Sequence, residues 1–252
     1  MGDSGQDDSP EASRPWSPGM TLLFGAVIFF GYSLAQGLVL AVFLILEHGG
    51  GVGPAMAVAG GVRITGLSLT IAIGVSCPVM LLACGLLGGA CRGIRIGDYL
   101  ALRPVGVPTL IGWTFAMLVL GLTMSQVNEW VGHPPSEFMQ ATFKTAGIPG
   151  LFWTAVVILA PVAEETLFRG FLYPGLLTSW LGKSGTLAFT SVVFMLVHAG
   201  QYGGYDMAQV GIVGVALGVA RIRTGSLLPP LAMHVTLNLV ALLTYALQAG
   251  GG

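Results

Sequence analysis

Seven long apolar runs limit the folds that this chain of 252 residues can adopt. A helix needs about 20 apolar residues to cross the hydrocarbon core of a bilayer, and only helices or closed barrels satisfy backbone groups in lipid. The runs are continuous rather than alternating, which favours helices. The sequence therefore predicts an all-α, polytopic transmembrane helical bundle of about seven spans (six to eight), at residues 20–46, 66–90, 106–128, 149–178, 184–200, 207–222 and 226–248.

The composition excludes a soluble globular protein. Only 8% of the residues are charged and 54% are hydrophobic, with a mean hydropathy of +0.83, whereas about 25% of the residues of a soluble domain are charged. So few charges cannot cover the surface of a soluble globule. We expect the lipid bilayer as a partner of the chain, and no nucleic acid.

The distribution of polar residues divides the chain into regions. Residues 1–19 are acidic and almost free of apolar side chains, which predicts a disordered tail ahead of a first span that is retained rather than cleaved. Residues 20–128 hold three spans without an ionisable residue deep inside and form the predicted scaffold. An amphipathic connector at 129–148 is expected at the membrane interface, and His48 and His133 are interpreted as ordinary solvated or interfacial histidines. Residues 149–248 hold all the intramembrane polar residues.

The loops predict the orientation of the chain, because cytoplasmic loops are enriched in Lys and Arg. With seven spans and a cytoplasmic N-terminus, the outer side carries only Arg63 and Lys144, and the inner side carries Arg14, Arg92, Arg95, Arg103, Arg169, Lys183, Arg221 and Arg223. We therefore expect a cytoplasmic N-terminus and an external C-terminus. The compact chain, without targeting motifs, favours a prokaryotic plasma membrane.

Two patterns of small residues predict helix packing. Cys77, Cys84 and Cys91 repeat every seven residues, so they share a helix face at steps of roughly 10 Å, too far apart for a disulfide or a shared metal. Gly214 and Gly218 form a G-x-x-x-G pattern that lets two helices approach closely. Both patterns indicate contacts between helices rather than chemistry.

Glu164 and Glu165 lie side by side within an apolar run, where an ionised carboxylate costs about 2.5–3.5 kcal/mol. Glu165 and Arg169 are four residues apart on a helix and can form an ion pair. Glu164 points about 100° away from Glu165 and has no cation at helical spacing on its own face. A structural ion pair explains Glu165 and Arg169, but it does not explain Glu164.

Two further polar pairs lie in the later runs. Phe194 and His198 share one helix face, and so do His234 and Asn238. A histidine late in a span can bind a backbone carbonyl, and Asn238 can hold helices together through hydrogen bonds. A carboxylate, two imidazoles and an amide are also what peptide hydrolysis needs, namely a base that activates water and donors that stabilise an oxyanion.

These residues resemble, in order, the three motifs of the CAAX-protease and bacteriocin-processing (CPBP) family of intramembrane proteases, which is related to the Ras-converting CAAX endopeptidase. The matching motifs are Glu164-Glu165-x-x-x-Arg169, Phe194-x-x-x-His198 and His234-x-x-x-Asn238. The resemblance identifies 149–248 as a catalytic CPBP-like core. It implies a helical membrane endopeptidase that acts on membrane-associated peptide or protein substrates, with a cavity open to the cytoplasm.

The resemblance also implies a role for each residue. Glu164 and His198 would hold and activate the attacking water, and His234 and Asn238 would stabilise the oxyanion. Arg169 would pair with Glu165. In a zinc-dependent alternative, Glu164, His198 and His234 would be the ligands and Glu165 the base. The sequence has no H-E-x-x-H motif, and we favour activation by glutamate without a cofactor.

Two functions of other classes remain as alternatives. Intramembrane Glu and His also mark ion pathways, which would suit a proton-coupled transporter. Transporters commonly carry broken helices in both halves, whereas the polar residues here lie only in the second half. A non-catalytic scaffold or bacteriocin-immunity protein would retain the same residues.

The predicted span boundaries conflict with a shared site. If each run crosses the bilayer from its first residue, the depths of Glu164 and His198 differ by about 10 Å. Their convergence then requires the fourth run to slide, and we expect that run to be broken near Pro161 or Pro174.

Overall fold

The computed structural model describes residues 14–47 and 64–250, and the regular secondary structure of this part of the chain is all helical, without strands. The first 13 residues of the predicted acidic tail, His48 and Arg63 lie outside the described residues. The helices of the described part are α1 (Pro18–Glu47), α2 (Gly66–Gly89), α3 (Ile96–Tyr99), α4 (Val107–Val131), α5 (Glu137–Lys144), α6 (Pro149–Leu177), α7 (Gly182–Leu196), α8 (Gly204–Thr224) and α9 (Leu228–Gly250).

Six of these helices are long and apolar enough to cross a membrane, namely α1, α2, α4, α6, α8 and α9. This confirms the prediction of an all-α, multi-pass integral membrane protein. The predicted span at 184–200 differs, because its helix α7 has only 15 residues and ends at Leu196. Turns then carry the chain to the start of α8 at Gly204.

One end of the bundle, here called the Trp16 end, gathers the start of α1 and the end of α2. The indole Nε1 of Trp16 donates to the carbonyl of Leu87 at 2.8 Å. Helix α6 ends beside them, where Gly175 lies against the Trp16 carbonyl so closely that a Cβ could not fit. Helix α9 starts at the same end, because Leu227 N donates to the Ala101 carbonyl at 2.8 Å, shortly beyond α2.

The opposite end, here called the His133 end, gathers the ends of α4 and α9. Gln248 in the last turns of α9 donates to Glu129 near the end of α4 at 3.2 Å. His133, just beyond α4, contacts Asp206 in the first turn of α8 at 3.0 Å. The described chain therefore begins at the Trp16 end and finishes at the His133 end. Six described helices meet the criteria for membrane spans, one fewer than the seven expected, and the shorter α7 with the turns after it leads the chain from the Trp16 end to the His133 end.

Helix α6 is not broken at its prolines. It continues through two π-helical turns, at Ala155–Leu159 and Thr166–Phe171, which precede Pro161 and Pro174. A proline has no backbone N–H, so one carbonyl earlier in the helix is left without its hydrogen-bond donor. In a π-helical turn this carbonyl belongs to the fifth residue before the proline, because the backbone bonds there join residues five apart. The predicted break near Pro161 or Pro174 is therefore wrong, since the helix absorbs both prolines by a local change of register.

Each carbonyl exposed in this way binds a side chain from another helix. Ala160 N donates to the Ala155 carbonyl in the first π-helical turn. In the same register residue 161 would donate to the carbonyl of Val156, and Pro161 has no N–H to do so. Asn238 Nδ2 of α9 donates to that carbonyl at 2.9 Å. In the second turn the carbonyl of Arg169 is the corresponding acceptor, and Arg221 Nε of α8 donates to it at 2.8 Å. The prolines thus create two docking points for neighbouring helices.

The predicted contacts of small residues are present. A Cβ on Gly214 would lie 3.4 Å from the Cα of Ser191 in α7, and a Cβ on Gly218 would lie 2.6 Å from the hydroxyl of Tyr173 in α6. Glycines at both positions therefore let α8 lie close to α6 and α7. The three cysteines, Cys77, Cys84 and Cys91, are free and buried, as their spacing predicts.

Candidate active site

A buried charged cluster joins α6, α8 and α9. The side chains of Glu165 and Arg169 are both 0% exposed, and Arg169 Nη1 donates to Glu165 Oε1 at 2.8 Å. Arg169 Nη2 donates to the carbonyl of Gly214 at 3.0 Å. The predicted ion pair between Glu165 and Arg169 is therefore confirmed, and it compensates both charges in a region from which water is excluded.

The same carboxylate orients the imidazole of His234. His234 Nδ1 lies 3.0 Å from Glu165 Oε1. Because Glu165 accepts from the guanidinium of Arg169 as a carboxylate, the hydrogen of this second bond belongs to His234 Nδ1. The Nε2 atom of His234 is thereby turned away from Glu165 and towards Glu164.

Glu164 lies between two imidazoles. Its Oε2 atom is 3.9 Å from His198 Nε2 and 4.0 Å from His234 Nε2, and it has no hydrogen-bond partner among the described residues although it is buried. These separations exceed a direct hydrogen bond and match the spacing that one bridging water spans. The unexplained carboxylate of the sequence is thus the group on which the two histidines converge.

The close approach of Glu164 and His198 contradicts the difference in depth that was expected between these two residues. Leu177 and Gly182, at the adjoining ends of α6 and α7, lie close together at the Trp16 end. At a rise of 1.5 Å per residue, Glu164 lies about 20 Å from Leu177 and His198 about 24 Å from Gly182. The expected offset of 10 Å is wrong because the two depths were measured from assumed bilayer boundaries rather than from the common end of the helices.

His198 is oriented by its own turn of the chain. Its Nδ1 atom lies 2.7 Å from the carbonyl of Phe194. A carbonyl only accepts, so Nδ1 carries the hydrogen and Nε2 faces Glu164. The ring of Phe194 packs at 4.9 Å from the ring of His198, at 5.8 Å from that of His234 and under the guanidinium of Arg169 at 4.5 Å. Phe194 therefore fixes both imidazoles and covers the ion pair.

Asn238 joins the same site from α9. One N–H of its amide donates to the Val156 carbonyl, and the half-buried side chain lines the cavity that contains Glu164. An asparagine amide carries two N–H donors. The geometry accordingly assigns one of them to helix packing and leaves the other for a group inside the cavity.

A cavity of about 380 Å³ extends from these residues to the His133 end of the bundle. Glu164, Phe194, His198, His234 and Asn238 line its inner part, and its outer part is lined by Asn128, Glu129, His133, Gln201, Asp206 and Gln248. The mouth is therefore at the end opposite to the start of α1. Consequently a cytoplasmic N-terminus and a cavity open to the cytoplasm, both expected from the sequence, exclude each other in this fold.

Several residues of this cavity were not singled out in the sequence. Tyr32 and Gln36 of α1 line it, and Gln36 Nε2 donates to the Tyr32 hydroxyl at 3.2 Å. They form a polar pair at four-residue spacing inside an apolar run, which is the signal that marked the later motifs. His133, interpreted as an ordinary interfacial histidine, is part of the mouth.

Tyr202, in the turn between α7 and α8, also lines the cavity. Its ring stacks on His198 with 6.0 Å between centroids and 18° between planes. Burial, together with the negative charges of Glu164 and Asp206, raises the pKa of Tyr202 to about 12. The phenol therefore stays protonated at neutral pH and presents a hydroxyl donor next to the imidazole.

The three side chains of the zinc alternative lie farther apart than the ligands of a bound zinc ion. Ligand atoms of a tetrahedral zinc with bonds of about 2.1 Å lie about 3.4 Å apart, whereas Glu164 Oε2 is 3.9 and 4.0 Å from the two imidazole nitrogens. No three His, Cys, Asp or Glu side chains in residues 14–47 and 64–250 are arranged to hold a metal ion.

Comparison with known proteins supports the family resemblance over the second part of the chain. Residues 146–240 match the family model of the Type II CAAX prenyl endopeptidase Rce1-like proteins, which confirms the resemblance to the CPBP family over this segment. The chain is also 35% identical over 149 residues to an uncharacterised 24.3 kDa protein of Escherichia coli, an alignment that spans 56% of this chain and 65% of that protein. No solved structure matches the chain.

Proposed function

We propose, from the match of residues 146–240 to the Rce1-like family model, that this integral membrane protein is an endopeptidase that hydrolyses membrane-associated peptide or protein substrates. The observation that carries the proposal is the position of Glu164. Its buried Oε2 atom has no partner among the described residues and faces two imidazole nitrogens at 3.9 and 4.0 Å. A structural ion pair does not require such a carboxylate, whereas a general base does.

In the proposed reaction Glu164 and the two histidines hold a water molecule. Glu164 takes one proton from this water while the hydroxide adds to the scissile carbonyl carbon. Collapse of the tetrahedral intermediate then breaks the C–N bond, and Glu164 returns the proton to the leaving amine. His198 assists because its Nδ1–H is bound to the Phe194 carbonyl, which leaves Nε2 to accept from the water or, when protonated, to donate.

Stabilisation of the oxyanion is assigned to His234 and Asn238. When His234 is protonated, its Nδ1–H donates to Glu165 and its Nε2–H points towards Glu164 and the substrate. Asn238 supplies the second N–H of its amide. Preorganised donors of this kind stabilise the charge that develops on the carbonyl oxygen, and the Glu165–Arg169 pair holds His234 in place for that purpose.

The substitution Glu164→Gln tests the proposal directly. It keeps the shape of the side chain but removes the base, so we expect peptide-bond cleavage to fall by at least about 100-fold, the lower range for loss of a general base. New protein termini in membranes that contain the wild type or the variant can be compared by mass spectrometry. The termini produced by the wild type should be missing with Glu164→Gln at equal abundance of folded protein.

Glu129→Gln is the matched control, because Glu129 lines the same cavity at its mouth. This variant should yield the same termini as the wild type. If Glu164→Gln also yields them all, the assignment of Glu164 as the base is wrong, whichever function the protein has.

A further inference from the structure

The two ends of the bundle differ strongly in exposed positive charge. The described residues of the His133 end expose a single cation, Lys144, and Arg63 lies outside the described residues. The Trp16 end exposes six, namely Arg14, Arg92, Arg95, Arg103, Lys183 and Arg223. The two remaining arginines, Arg169 and Arg221, are buried between helices and do not contribute to either surface.

This asymmetry indicates which end faces the cytoplasm. Lys and Arg in short loops stay on the cytoplasmic side, and the bias is counted within about 15–20 residues of the span ends. All six exposed cations of the Trp16 end lie within that distance of a helix terminus. The His133 end instead carries the carboxylates Glu129, Glu137 and Asp206. The Trp16 end is therefore the cytoplasmic end, and the His133 end is the external one.

We infer that the cavity opens on the non-cytoplasmic face of the membrane, so that its substrate is a peptide segment presented at the external surface. The claim about a substrate rests on the proposed function, whereas the position of the cavity mouth rests only on the fold and the charges. It differs from the cytoplasmic opening that the family resemblance implies. A membrane-anchored substrate reaches this site with the residues that leave the membrane at its external surface.

The depth of Glu164 below the mouth sets the minimum length of the peptide segment that reaches it. At 1.5 Å per residue Glu164 lies about 22 Å along α6 from Pro149, which is at the His133 end. An extended chain spans about 3.3–3.6 Å per residue. A segment of about six or seven extended residues therefore reaches from the mouth to Glu164, which suits a flexible juxtamembrane stretch better than a folded domain.

Cysteine labelling in spheroplasts tests the position of the mouth. Gln201→Cys places a thiol at the mouth, and Trp180→Cys places one at the Trp16 end, where Trp180 is 93% exposed. The native cysteines are at most 4% exposed, so the wild type gives the background. A membrane-impermeant maleimide should label Gln201→Cys in intact spheroplasts and Trp180→Cys only after permeabilisation. The reverse pattern overturns the inference.

A second measurement covers the case in which neither thiol reacts. Helix α9 ends at the His133 end, so alkaline phosphatase fused after residue 252 should be active, since this enzyme folds only outside the cytoplasm. A green fluorescent protein at the same position should stay dark. A bright fluorescent fusion with an inactive phosphatase overturns the inference and leaves the proposed peptidase activity to its own test with Glu164→Gln.

Discussion

Glu165 binds two partners at once, and its removal should affect the stability of the whole molecule. Its carboxylate binds Arg169 at 2.8 Å and His234 at 3.0 Å, and both Glu165 and Arg169 are completely buried. Glu165→Gln would leave the guanidinium of Arg169 buried without a counter-charge. We expect a loss of about 3–5 kcal/mol in the free energy of unfolding, the usual cost of breaking a buried pair on one side.

Thermal unfolding in detergent, followed by circular dichroism, measures this loss. The double variant Glu165→Gln/Arg169→Met is the control, because it removes both charges and keeps the volume close to native. It should be clearly more stable than Glu165→Gln alone. Equal destabilisation of the two variants would show that the carboxylate matters for something other than the charge of Arg169.

The sequence predicted one of these partners and not the other, for a simple reason. Glu165 and Arg169 are four residues apart, and helical geometry alone brings them together. His234 is 69 residues from Glu165, and no local spacing encodes the register between α6 and α9. The separation of roles between the two glutamates followed from the helix, but the imidazole that links Glu165 to the site needed the tertiary packing.

At the scale of elements, the π-helical turn before Pro161 leaves a backbone carbonyl without a backbone donor, and Asn238 supplies the missing hydrogen bond. Pro161 cannot donate to the Val156 carbonyl, and Asn238 Nδ2 does so instead at 2.9 Å. Asn238→Leu would leave this carbonyl unpaired, at a cost of about 1–3 kcal/mol. Thermal unfolding of the detergent-solubilised variant should therefore show a lower midpoint than that of the wild type.

Pro161→Ala provides the matched background for this prediction. The new backbone N–H can bind the carbonyl that Asn238 now satisfies, so Asn238→Leu should cost less in Pro161→Ala than in the wild type. A double-mutant cycle measures the difference as a coupling energy. Strictly additive losses would mean that the proline and the asparagine act independently.

The end of α7 shows why its length could not be read from the apolar pattern. In a continuing helix the Phe194 carbonyl would accept from the backbone N–H of residue 198. Here the side chain of His198 occupies that carbonyl at 2.7 Å, and the backbone N–H of His198 turns to the Met195 carbonyl at 3.1 Å. The apolar run extends only through Val197 and Ala199 before glycines follow, and within this stretch the hydrogen bonds of His198 determine where the helix ends.

At the scale of the molecule, the cavity depends on both parts of the chain. Tyr32 on α1 and Ser125 on α4 line it together with polar residues of α6 and α9 and with His198 just beyond α7. The helical bundle and six of its seven expected spans could be predicted because span length and composition determine them. The cavity could not, because a gap between helices leaves no periodic pattern in any single run.

If this cavity is the route of the substrate, filling it midway should stop turnover without touching the catalytic groups. Ser125→Trp adds a large side chain to a cavity of about 380 Å³, between the mouth and Glu164. We expect kcat/KM for a substrate identified by its new terminus to fall by more than about tenfold, which corresponds to about 1.4 kcal/mol. The unfolding midpoint should stay the same or rise, since the new side chain occupies existing space.

Thr123→Trp is the matched control, because Thr123 lies on the same helix but is exposed and does not line the cavity. It should cleave the same substrate at the rate of the wild type. Full activity of Ser125→Trp would mean that peptides reach Glu164 by another path, such as a lateral opening between helices. The combination of a blocked Ser125→Trp and an active Thr123→Trp instead supports entry from the His133 end, where Asn128, Glu129 and His133 line the cavity.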